Sequence, residues 1–264
     1  GKCVMDKVVK FDEKCVKLEK GKDIEYDYLV LAVGSSYNSK IKQDNVILAS
    51  RADTLKETHK KLVKAQDIVV IGGGLVGVEL AAEIIEKYPN KKVTILHSRE
   101  NLIQRNSSKA QRYAKKFFEE RKVELVLKDR MVEVTPNEVL TQSGKKIKAD
   151  LTFLCVGISP NSQIIEKSCP QSLSKKGAVM VDEFLQVKNC PNVFSGGDIT
   201  DIKEEKTAQH AQAHAKIIIQ NIRSLEKKED LQKYVSKSTP MIISLGEHHG
   251  IMEIKGKTVY ARRS

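Results

Sequence analysis

The chain has 264 residues and a formal net charge of +12, with 46 Lys and Arg against 34 Asp and Glu. This length suffices for one large or two ordinary domains, and the apolar runs are too short to cross a bilayer as helices. Because the basic excess is spread along the chain without an aromatic-rich basic stripe, a solvated surface is favoured over a nucleic-acid-binding one.

The opening segment and the cysteines indicate an intracellular protein. Residues 1–6 have no apolar core, so no cleavable signal peptide is predicted, and Asp6 stands where a myristoylation signal needs Ser or Thr. The five cysteines are isolated from one another in the sequence, with no C-x-x-C or C-x-x-x-x-C pair. This pattern predicts reduced thiols, without a zinc ribbon or a redox disulfide, in a protein that is cytoplasmic or peripheral to a membrane.

The first predicted elements form a β-meander. Strands at Val8–Phe11 and Cys15–Leu18 show alternating hydrophobicity, and after a glycine-containing turn a longer strand is predicted from Ile24 to Val33. A loop-rich segment follows. Arg51–Lys64 is then predicted to be a helix that leads directly into the next strand.

Residues 67–99 have the order strand, tight turn, helix and strand that is typical of a dinucleotide-binding unit. Ile68–Ile71 is an apolar run that ends at three consecutive glycines, and an apolar-periodic helix follows. A second β-branched run, Val93–Leu96, ends about twenty residues after the glycines, which is the spacing expected of such a unit. This context makes the glycine motif between strand and helix informative.

The glycines of this turn follow the spacing G-x-G-x-x-G. Gly72 suits a turn with unusual dihedral angles, Gly74 leaves bare backbone that a pyrophosphate can approach, and Gly77 allows close helix-to-strand packing. The helix start offers unpaired N–H groups and the positive end of its dipole to phosphates. The motif predicts a site for NAD(P)H, and the alternative is a glycine-rich turn without a ligand.

The end of the second strand bears on the choice of nucleotide. An NADH site usually places Asp or Glu there for the ribose 2′-hydroxyl, whereas a cation suits the 2′-phosphate of NADPH. Here His97, Ser98 and Arg99 precede the first acid, Glu100. A guanidinium binds phosphate in a forked geometry, so NADPH is favoured over NADH, and the alternative is that Arg99 is merely a solvated basic residue.

The elements beyond Arg99 complete this domain, which is predicted to span residues 66–157. An amphipathic helix is predicted at Ser107–Glu120 and a strand at Val123–Leu127. A strand pair follows at Met131–Val134 and Val139–Thr141, and a closing strand at Ala149–Val156.

Three further segments carry a family resemblance. Tyr26–Ser35 (YDYLVLAVGS), Asp150–Gly157 (DLTFLCVG) and Asn192–Asp198 (NVFSGGD) occur in this order, and Thr207-Ala208-Gln209 follows. They resemble the two domain crossings, the second FAD signature and the following helix start of the two-dinucleotide flavoproteins, the FAD-dependent pyridine nucleotide oxidoreductases. The sequences VTILHS after the glycine turn and ISLG at 243–246 are similar to the branch that contains the apoptosis-inducing-factor-like proteins and the ferroptosis-suppressor quinone reductases.

The resemblance implies roles for several residues. Asp198 would accept hydrogen bonds from ribityl or ribose hydroxyls, Gly197 would leave room for the cofactor, and Ala208 and Gln209 would lie beside the flavin. By its residue type, Asp198 could instead be a helix N-cap.

The resemblance also assigns residues outside the FAD signature. Glu79 would lie near the nicotinamide, and Gly34 and Gly157 belong to the domain crossings. Glu79 could instead be an acid that stabilises the helix dipole, and Gly157 a simple turn glycine.

One departure from the family pattern concerns the ends of the chain. No strand with its own GxGxxG loop precedes the meander, and residues 236–264 are expected to be a truncated C-terminal segment. The predicted fold class is therefore α/β, with a Rossmann-like NAD(P)H-binding domain inserted in a partial, glutathione-reductase-like FAD domain formed by 1–65 and 158–235. A fragment, a short paralogue and a remnant all fit this pattern.

The histidines were considered as metal ligands, since His210 and His214 have i, i+4 spacing and His248-His249 could add to them. No acid or cysteine at metal-site spacing supports this, so no metal site is predicted, and no residue is assigned as a general acid or nucleophile.

The predicted activity is hydride transfer from NAD(P)H to FAD, followed by electron transfer to an acceptor, which the branch resemblance implies is a quinone at a membrane surface. A flavin-free NAD(P)H-binding regulatory module is the alternative.

Overall fold

The computed structural model describes residues 1–36, 46–48, 55–237, 239–254 and 256–262. Contacts divide the chain into two compact units, here called unit 1 (Gly1–Ser36 with Ile158–Lys237) and unit 2 (Tyr37–Gly157 with Ser238–Ser264). Unit 2 thus interrupts unit 1 along the chain, which confirms the predicted α/β fold with an inserted Rossmann-like domain.

Unit 2 is built on a five-stranded parallel sheet with helices between successive strands. Its strand order is β6-β13-β7-β8-β9. The strands are β6 (Val46–Leu48), β7 (Asp67–Ile71), β8 (Lys92–His97), β9 (Glu124–Leu127) and β13 (Leu151–Leu154), and the helices are α1 (Leu55–Lys64), α2 (Leu75–Lys87) and α3 (Ser108–Glu120). The first four residues of the predicted helix, 51–54, lie outside the described residues.

The central strand β7 is buried on both faces. Ile68 and Val70 pack in a core with α2 and α3, whereas Val69 and Ile71 pack in a second core on the opposite face. A three-stranded antiparallel sheet of β10 (Met131–Val134), β11 (Glu138–Thr141) and β12 (Lys146–Lys148) covers that second face. Because both faces are covered, β7 is a continuous apolar run rather than an alternating one.

The C-terminal strands belong to unit 2. β17 (Met241–Ser244), β18 (His249–Ile254) and β19 (Lys257–Arg262) form an antiparallel sheet. Ile243 and Ile251 are fully buried in the same core as α2 and α3, and the ring of Tyr260 stacks on Tyr113 with centroids 4.3 Å apart. The compact units therefore differ from the predicted domain boundaries, because the C-terminal segment and β6 both join the nucleotide-binding unit.

Unit 1 contains three small sheets and two α-helices. The sheets have the orders β1-β2-β3, β5-β14 and β15-β16-β4. The elements are β1 (Val8–Phe11), β2 (Cys15–Leu18), β3 (Ile24–Glu25), β4 (Leu29–Leu31), β5 (Ser35–Ser36), β14 (Ser159–Pro160), α4 (Gln163–Ser168), β15 (Gln186–Val187), β16 (Cys190–Ser195) and α5 (Ala208–Lys227).

One sequence expectation about unit 1 was wrong. The predicted strand Ile24–Val33 is two strands, because β3 pairs with β2 of the first sheet while β4 pairs in parallel with β16 of another. The five cysteines are free thiols, and the fold brings the sulfur atoms of Cys169 and Cys190 to 2.6 Å from each other. Among the described residues, the structure contains no helix with the length and apolar character that a membrane span requires.

Candidate nucleotide-binding sites

The glycine turn of unit 2 combines two tightly packed positions with one open position. Gly72 has φ +114°, and a Cβ there would lie 2.3 Å from the carbonyl oxygen of Cys155. A Cβ on Gly77 would lie 1.8 Å from the carbonyl oxygen of Gly72. A Cβ on Gly74 would meet no atom within 4 Å. Gly72 therefore allows the turn to approach the backbone of Cys155 after β13, Gly77 allows α2 to pack against the turn, and Gly74 faces open space.

The start of α2 is available to an anion. Gly74 is the N-cap residue in an extended conformation, and no side chain caps the helix. The first-turn N–H groups of an uncapped helix have no intrahelical partner, and the helix dipole favours negative charge at this end. A bare, open backbone edge before an uncapped helix fits the diphosphate of a dinucleotide.

His97 fixes the turn from the end of β8. The N–H of Gly73 donates to Nδ1 of His97 over 3.0 Å, and the carbonyl of Gly73 accepts from the N–H of Ile103 over 2.8 Å. Burial, with a smaller contribution from Arg99, lowers the pKa of His97 against a backbone hydrogen bond with Asn101 that raises it, so the ring is neutral near pH 7. Because Nδ1 accepts, the proton of the neutral ring is assigned to Nε2, which is buried inside the protein.

His97 is the last residue of β8, at the carboxyl end of a parallel strand. In dinucleotide-binding folds this is the edge at which the adenosine ribose binds. A nucleotide contact of His97 stays a prediction, and its contact with Gly73 was not expected from the sequence.

The surroundings of Arg99 are basic. The Arg99 side chain is exposed two residues beyond β8, and the first acid after the strand, Glu100, pairs with Lys128 over 2.8 Å between Oε1 and Nζ. The pairing lowers the pKa of Glu100, so this carboxylate is ionised and its charge is balanced. The acid that follows Arg99 in the sequence is therefore held by a lysine.

Glu79 makes a contact that its sequence position did not predict. Its Oε1 accepts a hydrogen bond from the N–H of Ser244 over 3.0 Å, which joins α2 to β17 within unit 2. A location near the nicotinamide stays a prediction.

The two glycines of the domain crossings adopt the left-handed region, where glycine is favoured: Gly157 has φ +102° and Gly34 has φ +65°. A Cβ at either position would meet nothing within 4 Å.

The candidate FAD residues of unit 1 meet at one edge of two parallel strands. Asp198 lies in a 3-10 turn that follows β16, and Ser35 follows the neighbouring strand β4. The Ser35 hydroxyl donates to Oδ2 of Asp198 over 2.8 Å. Gly197 has φ +78°, and the nearest neighbour of a Cβ there is the Cβ of Ala211 at 3.7 Å. A carboxylate beside a bare glycine at a strand edge fits the hydroxyl-rich part of a dinucleotide cofactor.

The start of α5 excludes the alternative role of Asp198. Thr207 is the N-cap, and its hydroxyl oxygen accepts from the N–H of His210. Asp198 therefore does not cap this helix. Ala208 and Gln209 are exposed in its first turn, and their contact with a flavin stays a prediction.

A buried charged network behind the Gly197 turn was missed by the sequence analysis. The N–H of Gly197 donates to Nδ1 of His214 over 2.9 Å, and Nε2 of His214 lies 2.8 Å from Oε1 of Glu204. The hydroxyls of Tyr234 and Ser236 both donate to Oε2 of Glu204. The His214 and Glu204 side chains are only 1% and 3% exposed. The HxxxH spacing was noted in the sequence, but Glu204 lies in a loop and gave no periodic signal.

The network has a defined protonation state. Burial lowers the pKa of His214 despite the opposing charge of Glu204. Burial alone would raise the pKa of Glu204, but hydrogen bonds from Ser236 and Tyr234 and the nearby histidines lower it overall. Near pH 7 the pair is thus a carboxylate and a neutral imidazole that accepts from Gly197. Among the described residues, no group of three or more His, Cys, Asp or Glu side chains is arranged to hold a metal.

Comparisons with known proteins were made for the whole chain. A family model described as pyridine nucleotide-disulphide oxidoreductase matches residues 2–215. Ferroptosis suppressor protein 1 of Mus musculus is 34% identical over 263 residues, which cover 95% of this chain and 70% of that protein. Apoptosis-inducing factor homolog B of Dictyostelium discoideum is 30% identical over 283 residues, which cover 96% of this chain and 73% of that protein.

A solved structure with a similar fold is the sulfide:quinone oxidoreductase from the hyperthermophilic bacterium Aquifex aeolicus. The match has a TM-score of 0.80 and 19% sequence identity, and it covers 97% of this chain and 70% of that chain. At this identity the likeness concerns the fold alone.

Substitutions at Gly74 and Gly77 separate ligand binding from packing. We expect Gly74→Val to keep the wild-type Tm within a few degrees, because its Cβ meets no atom, and to weaken NAD(P)H binding roughly tenfold or more, or about 1.4 kcal/mol. Gly77→Ala should cost about 1–3 kcal/mol of folding free energy, because α2 must move away from Gly72. Thermal unfolding and nucleotide titration measure the two effects. Wild-type affinity in Gly74→Val would contradict the assigned role.

Acid should destabilise the protein partly through His214. Its folded pKa lies below the ordinary 6.5, so as the pH falls below about 6.5 the unfolded chain binds a proton that the folded chain refuses, and stability falls. We expect the Tm to fall less in His214→Gln than in the wild type when the pH is lowered from about 7.5 to about 5.5. His97 retains its own contribution in both proteins, and the exposed His248→Gln serves as control. Equal drops in His214→Gln and wild type would exclude this role.

Proposed function

Because this chain belongs to the pyridine nucleotide-disulphide oxidoreductase family, we propose that it binds NAD(P)H on unit 2 and FAD on unit 1 and passes electrons to a quinone. The observation that carries the proposal is the turn at Gly72–Gly77, with its open Gly74 and the uncapped helix α2. A flavin-free binding module would use the same turn, but it would leave the Asp198 edge of unit 1 without a function.

The family and branch predicted from the sequence motifs are confirmed. The family model spans most of the chain, and both relatives belong to the predicted apoptosis-inducing-factor-like and ferroptosis-suppressor branch. Members of the family are FAD-dependent and use NAD(P)H, which confirms the predicted enzyme class and cofactors.

The protein's own contribution to this chemistry is binding and orientation. We assign the diphosphate of NAD(P)H to the open Gly74 and the first turn of α2, and the adenosine ribose to the end of β8 at His97. Asp198 and Gly197 would hold the sugar-like part of FAD, with Gly34, Ala208 and Gln209 as further contacts, and Gly157 stays a predicted cofactor contact of unit 2. A bound flavin would supply the hydride acceptor and the redox centre, so no protein nucleophile is required.

The proposed nucleotide is NADPH. Arg99 would bind the 2′-phosphate through its guanidinium, and the pairing of Glu100 with Lys128 removes the acid that could repel that phosphate. His97 remains a neutral donor that suits either a hydroxyl or a phosphate oxygen. The preference for NADPH over NADH therefore depends on Arg99.

The proposed acceptor is a quinone at a membrane surface. The solved structure with a similar fold is a sulfide:quinone oxidoreductase by its name, and the sequence motifs resemble a branch that contains quinone reductases. The net charge of +12 would favour an anionic surface, and we propose an intracellular protein, cytoplasmic or peripheral to a membrane, rather than a nucleic-acid-binding one.

The proposal is tested by optical titration of the purified chain with FAD. We expect a bound flavin whose absorption band bleaches on anaerobic addition of NADPH and returns when a water-soluble quinone is added. Gly74→Val should bleach more slowly at the same NADPH concentration, because only nucleotide binding is weakened. A colourless protein that binds NADPH saturably but never retains FAD would instead indicate a flavin-free module.

Arg99→Ala tests the nucleotide preference. Loss of a charge-assisted hydrogen bond of about 1.5–3 kcal/mol should lower the ratio of NADPH to NADH affinity roughly tenfold or more, with NADH affinity nearly unchanged. The matched control is Arg112→Ala, which removes an exposed arginine from α3 and should leave the ratio at its wild-type value. An unchanged ratio in Arg99→Ala would remove Arg99 from the site.

A further inference from the structure

Two cysteines of unit 1 meet across elements that are distant in sequence. Cys169 is the C-cap residue of α4, and Cys190 is the first residue of β16. Their sulfur atoms are 2.6 Å apart, which is closer than two unbonded sulfur atoms pack. The two cysteines are separated by 21 positions in the sequence, so the pair depends on the fold of unit 1 rather than on a local motif.

The environment of the pair suits a disulfide rather than a metal. The Ser172 hydroxyl lies 2.9 Å from the sulfur of Cys169 and donates to the carbonyl of Lys188. The Ser172 hydroxyl and the Lys188 carbonyl beside the pair are therefore already hydrogen-bonded to each other. The described residues place no third His, Cys, Asp or Glu ligand here, and a metal site needs more than two ligands.

We propose that Cys169 and Cys190 are a covalent modification site, at which a small-molecule disulfide oxidises the two thiols to an intramolecular disulfide. Cys190 is partly exposed and Cys169 is 3% exposed, so the reagent reaches Cys190 first. The thiolate of Cys190 attacks the reagent, forms a mixed disulfide and releases one small thiol. Cys169 then attacks the sulfur of Cys190 and releases the second small thiol. The two protein thiols are oxidised, the reagent is reduced, and the two protons leave on the released thiols.

The reaction should be slow near neutral pH. Burial, followed by the hydrogen bond and charge of Cys169, raises the pKa of Cys190 to about 12. Since the thiolate is the reactive form, the rate should rise roughly tenfold per pH unit below that pKa. This pair is therefore a slowly formed cross-link and not a fast peroxide sensor.

The cross-link has a mechanical consequence for the candidate flavin site. β16 begins at Cys190 and ends at Ser195, two residues before Gly197 and three before Asp198. A disulfide would tie the start of this strand to α4, and closing a loop reduces the conformational entropy of the unfolded chain. The oxidised protein should therefore unfold at a higher temperature than the reduced protein.

The test uses the full chain, reduced with a dithiol, freed of it, and incubated with oxidised glutathione at several pH values. Free thiols are then alkylated under denaturing conditions, and the peptides are mapped by mass spectrometry. We expect one peptide pair joined through Cys169 and Cys190, more of it at higher pH, and a Tm raised by roughly 5 °C or more. Cys169→Ser and Cys190→Ser should lose both the joined peptide and the Tm shift.

The other cysteines provide internal controls. Cys3 is exposed and Cys155 is buried in unit 2, and neither belongs to the proposed pair. Cys155→Ser should therefore keep the cross-link. The proposal fails if Cys169 and Cys190 are still free thiols, and are therefore alkylated, after incubation at the highest pH. It also fails if Cys190 pairs with Cys15, or if Cys190 retains a glutathione adduct that Cys169 does not displace. The peptide map of the wild-type protein decides the question even if a serine variant does not fold. The result is independent of whether the chain reduces a quinone.

Discussion

The nucleotide-binding unit depends on direct backbone contact between α2 and the turn after β7. A Cβ at Gly77 would lie 1.8 Å from the carbonyl oxygen of Gly72, so the helix reaches this position only because no side chain intervenes. The contact directs the uncapped start of α2 and the open Gly74 to the carboxyl edge of the parallel sheet. Without it, the helix dipole and the bare backbone would not meet at one point, and the turn could not hold a diphosphate.

Both units fix a glycine turn in the same way. The N–H of Gly73 donates to Nδ1 of His97 in unit 2, and the N–H of Gly197 donates to Nδ1 of His214 in unit 1. Burial lowers the pKa of each ring, which keeps both neutral and able to accept. A protonated imidazole would have no acceptor and would release the turn, so acid should loosen both turns by one mechanism.

The second nitrogen of each ring is buried inside the protein. Nε2 of His214 lies 2.8 Å from Oε1 of Glu204, whereas the ring of His97 has the backbone of Asn101 as its further partner. The same residue type therefore supports a turn backbone in both units. The cofactors supply the redox chemistry, while these residues hold their binding turns in place.

The sequence by itself determined the α/β class, the glycine turn, most strand positions of the nucleotide unit and the flavoprotein family, because these follow from local periodicity and from short motifs. It did not determine that residues 241–262 pack with unit 2, that Ile24–Val33 is divided between two sheets, or that Glu204 supports His214. It also treated Cys169 and Cys190 as separate, although their sulfur atoms meet. Each of these contacts joins residues from different elements, and only the folded chain brings them together, because no repeating pattern in the sequence records which surfaces will pack.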